Sequence, residues 1–170
     1  MKRDPCARLL HRLLHPHALV YCSLGSAGRS WRAQSADQPT YFGSDPMGMA
    51  LPAALGLALA QPQRPVLFIG GDGDFVMSLG CLLTIAGVAP ANLKIVIFDN
   101  ARYETGGGQP LAGSGRYDLP ALARAAGFAW AESVGGTASD AKGRDSVDEG
   151  VFHRFLAEPG LAFLAVTIDA

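Results

Sequence analysis

The sequence predicts an α/β fold: a doubly wound, mostly parallel sheet with helices on both faces. Three observations predict it. "PVLFIGG" and "LKIVIFDN" are apolar runs without alternation, as expected of strands covered on both faces. Strand-like runs alternate with helix-like stretches along the chain, the pattern of a parallel sheet built from crossover units. Apolar residues make up 49% of the 170 residues and glycine contributes 21, which suits one packed domain over 1–170 and argues against disorder.

Asp4-Pro5 reads as a helix start, with a capping side chain before proline. Leu9, Leu10, Leu13 and Leu14 recur at helical spacing until Pro16 stops them. "ALVYC" (18–22) reads as a short buried strand, and "GSAGRSWR" as a glycine-rich turn opening a helix. "YF" at 41–42 is a short strand. Asp45-Pro46 then opens a segment, "MGMALPAALGLALA", that is apolar on every side and is expected to be buried all round. Pro52 fits only near the first turn of that helix.

After the strand ending in Gly71 a helix is expected over residues 75–88, then the strand "LKIVIFDN" and a glycine-rich loop, "ARYETGGGQPLAGSGRY". A helix capped by Asp118, a strand "FAWAESV", a helix "VDEGVFHRFLAEPG" and a last strand "LAFLAVTID" complete the alternation. "GGTASDAKGRDS" is expected to be a surface loop.

The net charge of −1 offers no basic surface for nucleic acid. No apolar run reaches membrane length, and His11, Arg12 and His15 interrupt the N-terminal stretch, so a cytoplasmic protein is expected. Three cysteines, Cys6, Cys22 and Cys81, lack CxxC spacing and read as reduced thiols, with Cys22 and Cys81 in the core. His11 and His15 lie one turn apart with no third ligand nearby in the sequence, so an exposed face is expected.

The chemistry gathers at the strand ends. Adjacent parallel strands carry their carboxyl ends to one edge, where open α/β sheets bind ligands. "GGDGD" ends one strand and "FDN" the next, so Asp72 and Asn100 are expected close together. A carboxylate and an amide oxygen at a helix start make a hard-cation site suited to Mg²⁺ with phosphate oxygens. Gly71 and Gly73 let backbone approach a diphosphate, and free N–H groups of the following helix point at it. Asp74 is expected to cap that helix. Val76 stands where the dinucleotide GxGxxG needs glycine, and no GxxxxGK[ST] occurs.

"GDG" followed by the asparagine of "FDN" resembles the diphosphate motif of thiamine diphosphate (ThDP) enzymes. The stretch from "DPMGMALP" to "FDN" resembles the ThDP-binding domain of 2-oxo acid decarboxylases. "NARYETGGGQP" and "DLPALARAAGF" are most similar to phosphonopyruvate and sulfopyruvate decarboxylases.

The resemblance implies that Asp72 and Asn100 ligate Mg²⁺ by side chain and Arg102 by its carbonyl. Gly73 and Asp74 would offer backbone N–H groups to the diphosphate, as would Gly25, Ser26 and Gly28. Met47 would wedge the cofactor into its bent shape, and backbone near Asp45 and Met47 would bind the pyrimidine edge. Glu104 to Gly108 would close over the cofactor and border the substrate, with Tyr103, Thr105 and Gly106 among the cofactor-binding residues and Glu104 the one candidate catalytic group in this chain. Asp99, Leu111 and Gly106 depart from the family's usual residues and bear on substrate identity.

The glutamate that activates ThDP lies, in the family, on a separate pyrimidine-binding domain that nothing here resembles. Glu132, Glu149 and Glu158 fall away from the loop edge. The chain therefore reads as a β subunit needing an α partner, in an α2β2 or larger assembly. Its substrate would be a small anionic 2-oxo acid, giving an aldehyde and CO₂. A ThDP subunit of a 2-oxo acid oxidoreductase or carboligase, or a non-catalytic ThDP-binding module, are the other readings. Arg29 and Arg102 are the cations that an anionic substrate could meet.

Overall fold

The computed structural model of the chain describes residues 1–135 and 148–169. The chain opens with α1 (Arg3–Leu13), β1 (Leu19–Cys22), α2 (Ser26–Arg32), β2 (Thr40–Phe42), α3 (Ala50–Ala60) and β3 (Val66–Gly71). It continues with α4 (Asp72–Met77), α5 (Cys81–Val88), β4 (Leu93–Asp99), β5 (Arg102–Tyr103), a 3₁₀ turn (Glu104–Gly106) and β6 (Gln109–Pro110). α6 (Leu119–Ala126), β7 (Trp130–Val134), α7 (Glu149–Ala157) and β8 (Ala162–Thr167) complete it. Most of the expected surface loop after β7 lies outside the described residues.

Six strands form one sheet in the order β2-β1-β3-β4-β8-β7, and every neighbouring pair is parallel. The doubly wound expectation is met. Two apolar layers sandwich the sheet. Trp31, Phe152 and Phe155 pack with Leu10, Ile69 and Val96 on one face. Leu51, Phe75 and Ile85 pack with Phe68, Ile95 and Phe163 on the other. The pleat sends Val96 to one layer and Ile95 to the other. β5 and β6 form a separate two-stranded antiparallel ribbon.

The strand order sets the site. From β1 the chain moves outward to β2, then returns to the other side of β1 to form β3. The loops that leave the carboxyl ends of β1 and β3 therefore diverge, and a crevice opens between them.

Four local expectations are corrected. Asp4 does not cap α1: the helix begins at Arg3, and the Asp4 carboxylate accepts from the Ser30 hydroxyl at 2.6 Å. α3 is not buried all round, because Met49 at its N-cap is 55% exposed and Leu59 is 52% exposed. Only the face carrying Leu51, Ala54, Leu55 and Ala58 meets the sheet; an even apolar composition gives no period from which to read which side is covered. The single helix expected over 75–88 is two helices, α4 and α5, parted at 78–80. Cys81, expected in the core, is only half-buried, whereas Cys22 is buried. Asp118 caps α6 as expected, accepting from the Ala121 N–H. Glu132 and Glu149 pair with Arg154 and Arg12 on the surface. His11 pairs with Asp37. Among the described residues no helix is long and apolar enough to cross a membrane.

Candidate functional site

The site stands at the carboxyl ends of β1, β3 and β4. Its centre is Asp72, which is 2% exposed and opens α4 directly after β3. Asp72 Oδ1 accepts from the Gly73 N–H at 2.9 Å, and Oδ2 accepts from the Ala101 N–H at 2.6 Å. The second bond crosses from β3 to the turn after β4, so the two strand ends are tied through this carboxylate. Ala101 adopts φ 60°, a left-handed conformation, and that turn aims its N–H at Asp72 and, at 3.2 Å, at Asp99 Oδ1.

Burial, and then the neighbouring Asp99 carboxyl, push the Asp72 acid up to about 7, against the opposing pull of the Gly73 and Ala101 N–H groups. Two acids this close favour a shared proton or a cation between them.

Asp74 does not cap the helix. It lies inside the first turn of α4, and its Oδ1 accepts from the Gly48 N–H at 2.7 Å. That bond fastens the turn before α3 to the end of β3. Asp74 Oδ2 is buried with no hydrogen-bond partner among the described residues. Burial pushes its pKa above the usual carboxylate range, although the Gly48 N–H and the Ser23 hydroxyl oppose this.

Asn100 uses its amide on the turn that follows. Its Oδ1 accepts from the Arg102 N–H at 3.0 Å, and its Nδ2 donates to Glu104 Oε2 at 3.0 Å. An amide oxygen has a second lone pair, so the first bond leaves it able to bind a cation. Glu104 also receives Arg3 Nη2 at 2.6 Å. Burial would raise the Glu104 acid, but hydrogen bonds from Ser26 and Arg3 and the charges of Arg3 and Arg29 prevail and hold it below the ordinary range.

These residues enclose a cavity of about 50 Å³. Ser26, Met47, Gly71, Asp72, Gly73, Asp74, Asn100, Tyr103, Glu104 and Thr105, all expected at the site, line it together. Gly25, Gly28, Asp45, Arg102 and Gly106 are not among its lining residues. Gly28 instead packs on the Ser23 carbonyl, where a Cβ would come within 2.8 Å. The Asp45 carboxylate accepts from the Tyr21 hydroxyl at 2.6 Å. The Arg102 guanidinium turns away to donate to the Gly108 carbonyl.

Two of the glycines lie directly under the ribbon. A Cβ on Gly25, whose φ is 81°, would fall 2.1 Å from Thr105 Oγ1, and one on Gly73 would fall 2.7 Å from the Tyr103 ring. Residues 103–105 thus cover the glycine floor, and the space left beneath them is that of one or two waters.

Arg3, Ala101 and the carboxylate of Asp99 were not assigned roles from the sequence. Arg3 comes from a helix 101 positions away from Glu104, and no local pattern carries such a pairing. Among the described residues no group of three or more His, Cys, Asp or Glu side chains could hold a metal. An ion here would therefore depend on mixed carboxylate, amide and backbone oxygens.

A family model for the thiamine pyrophosphate enzyme, C-terminal TPP binding domain, matches residues 23–166. The chain belongs to this family. As a TPP binding domain it has relatives of two kinds. It is 40% identical over 116 residues to a phosphonopyruvate decarboxylase of Streptomyces hygroscopicus, a match covering 68% of this chain and 28% of the relative. It is 43% identical over 113 residues to a sulfopyruvate decarboxylase subunit beta of Methanothermobacter thermautotrophicus, covering 65% of this chain and 58% of the relative. The TPP binding domain thus spans less than two thirds of either relative.

Its fold is also that of a benzoylformate decarboxylase from Polynucleobacter necessarius, with a TM-score of 0.77 at 21% identity over 99% of this chain and 33% of that one. A 2-oxoglutarate:ferredoxin oxidoreductase from Magnetococcus marinus gives a TM-score of 0.73 at 18% identity, over 99% of this chain and 60% of that one.

Proposed function

We propose that this chain is the ThDP- and Mg²⁺-binding β subunit of a decarboxylase acting on a small anionic 2-oxo acid. The observation that carries the reading is the meeting of Asp72 and Asn100 on one cavity at the glycine-lined ends of β3 and β4. The names of the phosphonopyruvate and sulfopyruvate decarboxylases it resembles support the substrate class.

The residues present fit a divalent ion. Asp72 and Asn100 would hold it by their side-chain oxygens and Arg102 by its carbonyl, a hard-oxygen set suited to Mg²⁺ together with phosphate oxygens. The floor suits a diphosphate, since Gly25 and Gly73 present backbone without a Cβ there; the closeness of Tyr103 and Thr105 to it means that residues 103–105 must rise to admit it. Gly25, Ser26, Gly28, Gly71, Gly73 and Asp74 would then offer backbone to the phosphates. Asp45 and Met47 would border the pyrimidine, with Tyr103, Thr105 and Gly106 above it.

When bound, ThDP supplies a nucleophilic carbon and an electron sink for the bond to CO₂. The chain's own contribution is to hold that cofactor, to exclude water with the ribbon, and to border the substrate with Glu104. The glutamate that activates the cofactor would come from a pyrimidine-binding α partner, in an α2β2 or larger cytoplasmic assembly. Residues 1–170 would act as one pyrophosphate-binding domain.

Calorimetric titration tests the site. Mg²⁺-dependent ThDP binding is expected for the natural chain and is expected to vanish in Asp72→Ala. Unchanged affinity in that variant refutes the site.

A further inference from the structure

A cavity of about 490 Å³ lies at the opposite edge of the sheet, where the strands begin. Leu67 near the start of β3 and Lys94 near the start of β4 reach its wall. The closing turns of α1 and α7 supply Leu13, Leu14 and Leu156. At the rise of a strand, Lys94 stands roughly 20 Å along β4 from Asn100, so this space is separate from the cofactor floor. Its size and largely leucine wall suit a small molecule, which such sites hold by a few polar groups set in apolar surroundings. Gln63 and Pro159 also line it and are exposed, so it opens to solvent.

Lys94 decides the chemistry of the ligand. It is 9% exposed, and its Nζ donates to the Glu158 and Gly160 carbonyls. Both acceptors are neutral, and an ammonium has a third N–H to give. Among the described residues Lys94 forms no ion pair. Burial pushes its pKa below the ordinary lysine range, with only the charge of Glu158 opposing. Taking a cation out of water without an anion beside it is costly. Arg64 adds positive charge to the same wall, and its Nε is occupied by the His17 carbonyl at 3.0 Å. Capping the end of α7 accounts for the two carbonyl bonds of Lys94. It does not account for an open, leucine-lined space beside the ammonium.

We propose that this cavity binds a small carboxylic acid with an apolar body, its carboxylate paired with Lys94 and its body against Leu13, Leu14, Leu67 and Leu156. The site does not depend on the ThDP reading, and either can fail without the other.

Calorimetry on the full chain tests it with hexanoate as the probe and with hexanamide and acetate as controls. Hexanoate is expected to bind. Hexanamide has the same shape without the charge and is expected to bind about tenfold or more weakly, the scale of a bond to a charged group. Acetate lacks the apolar body and is expected not to bind measurably. A lysine that only caps α7 predicts equal affinity for the acid and the amide. Lys94→Met keeps the length of the side chain and is expected to bring hexanoate down to the affinity of hexanamide. Amide NMR on the natural chain locates the probe without any variant: Leu67, Lys94 and Gly160 are expected to shift, and Gly73 and Ala101 to stay. Excess ThDP with Mg²⁺ is expected to leave hexanoate bound. No binding at millimolar hexanoate, equal affinity for acid and amide, shifts confined to Gly73 and Ala101, or displacement by ThDP overturns the site.

Discussion

The Ala101 N–H donates to the buried Asp72 carboxylate at 2.6 Å, and it does so from a left-handed backbone, φ 60°. An L-residue with a Cβ pays roughly 1–2 kcal/mol for that conformation. Ala101→Gly removes the strain and adds unfolded-chain entropy, a smaller opposing effect. The variant is expected to be more stable by up to about 1 kcal/mol, read as a higher urea midpoint with an unchanged slope. A lower midpoint would show that the alanine methyl packs usefully.

Asp72 makes stability depend on pH. Its acid is raised from the model-peptide value of 3.8 to about 7 in the fold, so the folded chain holds this proton more tightly than the unfolded one. The contribution is fully present below about pH 4 and drains away as pH rises through about 7. The metal-free chain is expected to lose thermal stability across that window, and Asp72→Asn to flatten the slope there. Adding Mg²⁺ with ThDP near pH 8 is expected to restore the midpoint of the natural chain and to leave Asp72→Asn unmoved. A thermal series over pH 5–8 in both conditions measures it.

Gly73 tests the floor beneath the ribbon. A Cβ there would fall 2.7 Å from the Tyr103 ring. Gly73 sits in the first turn of α4 without a positive φ, so alanine suits the helix and the ring can swing outward. Gly73→Ala is expected to fold with a melting point close to the natural one but to bind ThDP roughly tenfold more weakly, about 1.4 kcal/mol. Equal affinity would mean that the diphosphate does not approach this backbone.

The purified chain alone is expected to release no CO₂ from 2-oxo acids, and co-expression with a pyrimidine-binding partner to establish turnover. Decarboxylation by the chain alone, at a rate abolished in Asp72→Ala, would move the activating acid onto this chain, with Glu104 the first residue to examine.

The parallel sheet was legible because its strands lack alternation and because Gly71, Asp72 and Gly73 mark the end of β3 and the start of α4. Asp118 was legible as a cap because capping is local and the helix begins where its side chain can reach the Ala121 N–H. Asp74 was misread for the same reason in reverse: α4 starts at Asp72, three residues earlier than expected, and what holds Asp74 is Gly48, 26 positions away. Ala101 gave no signal, since alanine is rare in the left-handed region and only the pull of Asp72 places it there. Arg3 on α1 and Glu104 in the 3₁₀ turn after β5 meet across 101 positions, a tertiary relation with no local spacing. The buried side of α3 was hidden because its sequence is apolar in every direction.

One feature of the strand order bears on how the chain is made. β8 is the last described strand, yet it lies inside the sheet, between β4 and β7. Until it emerges from the ribosome, β4 presents a bare hydrogen-bonding edge of branched apolar side chains and β7 has no neighbour, an arrangement that invites mispairing between nascent copies. The glycine-lined ends of β1 and β3 and the end of β4 can assemble earlier in synthesis, but the sheet that supports them closes only once β8 is made.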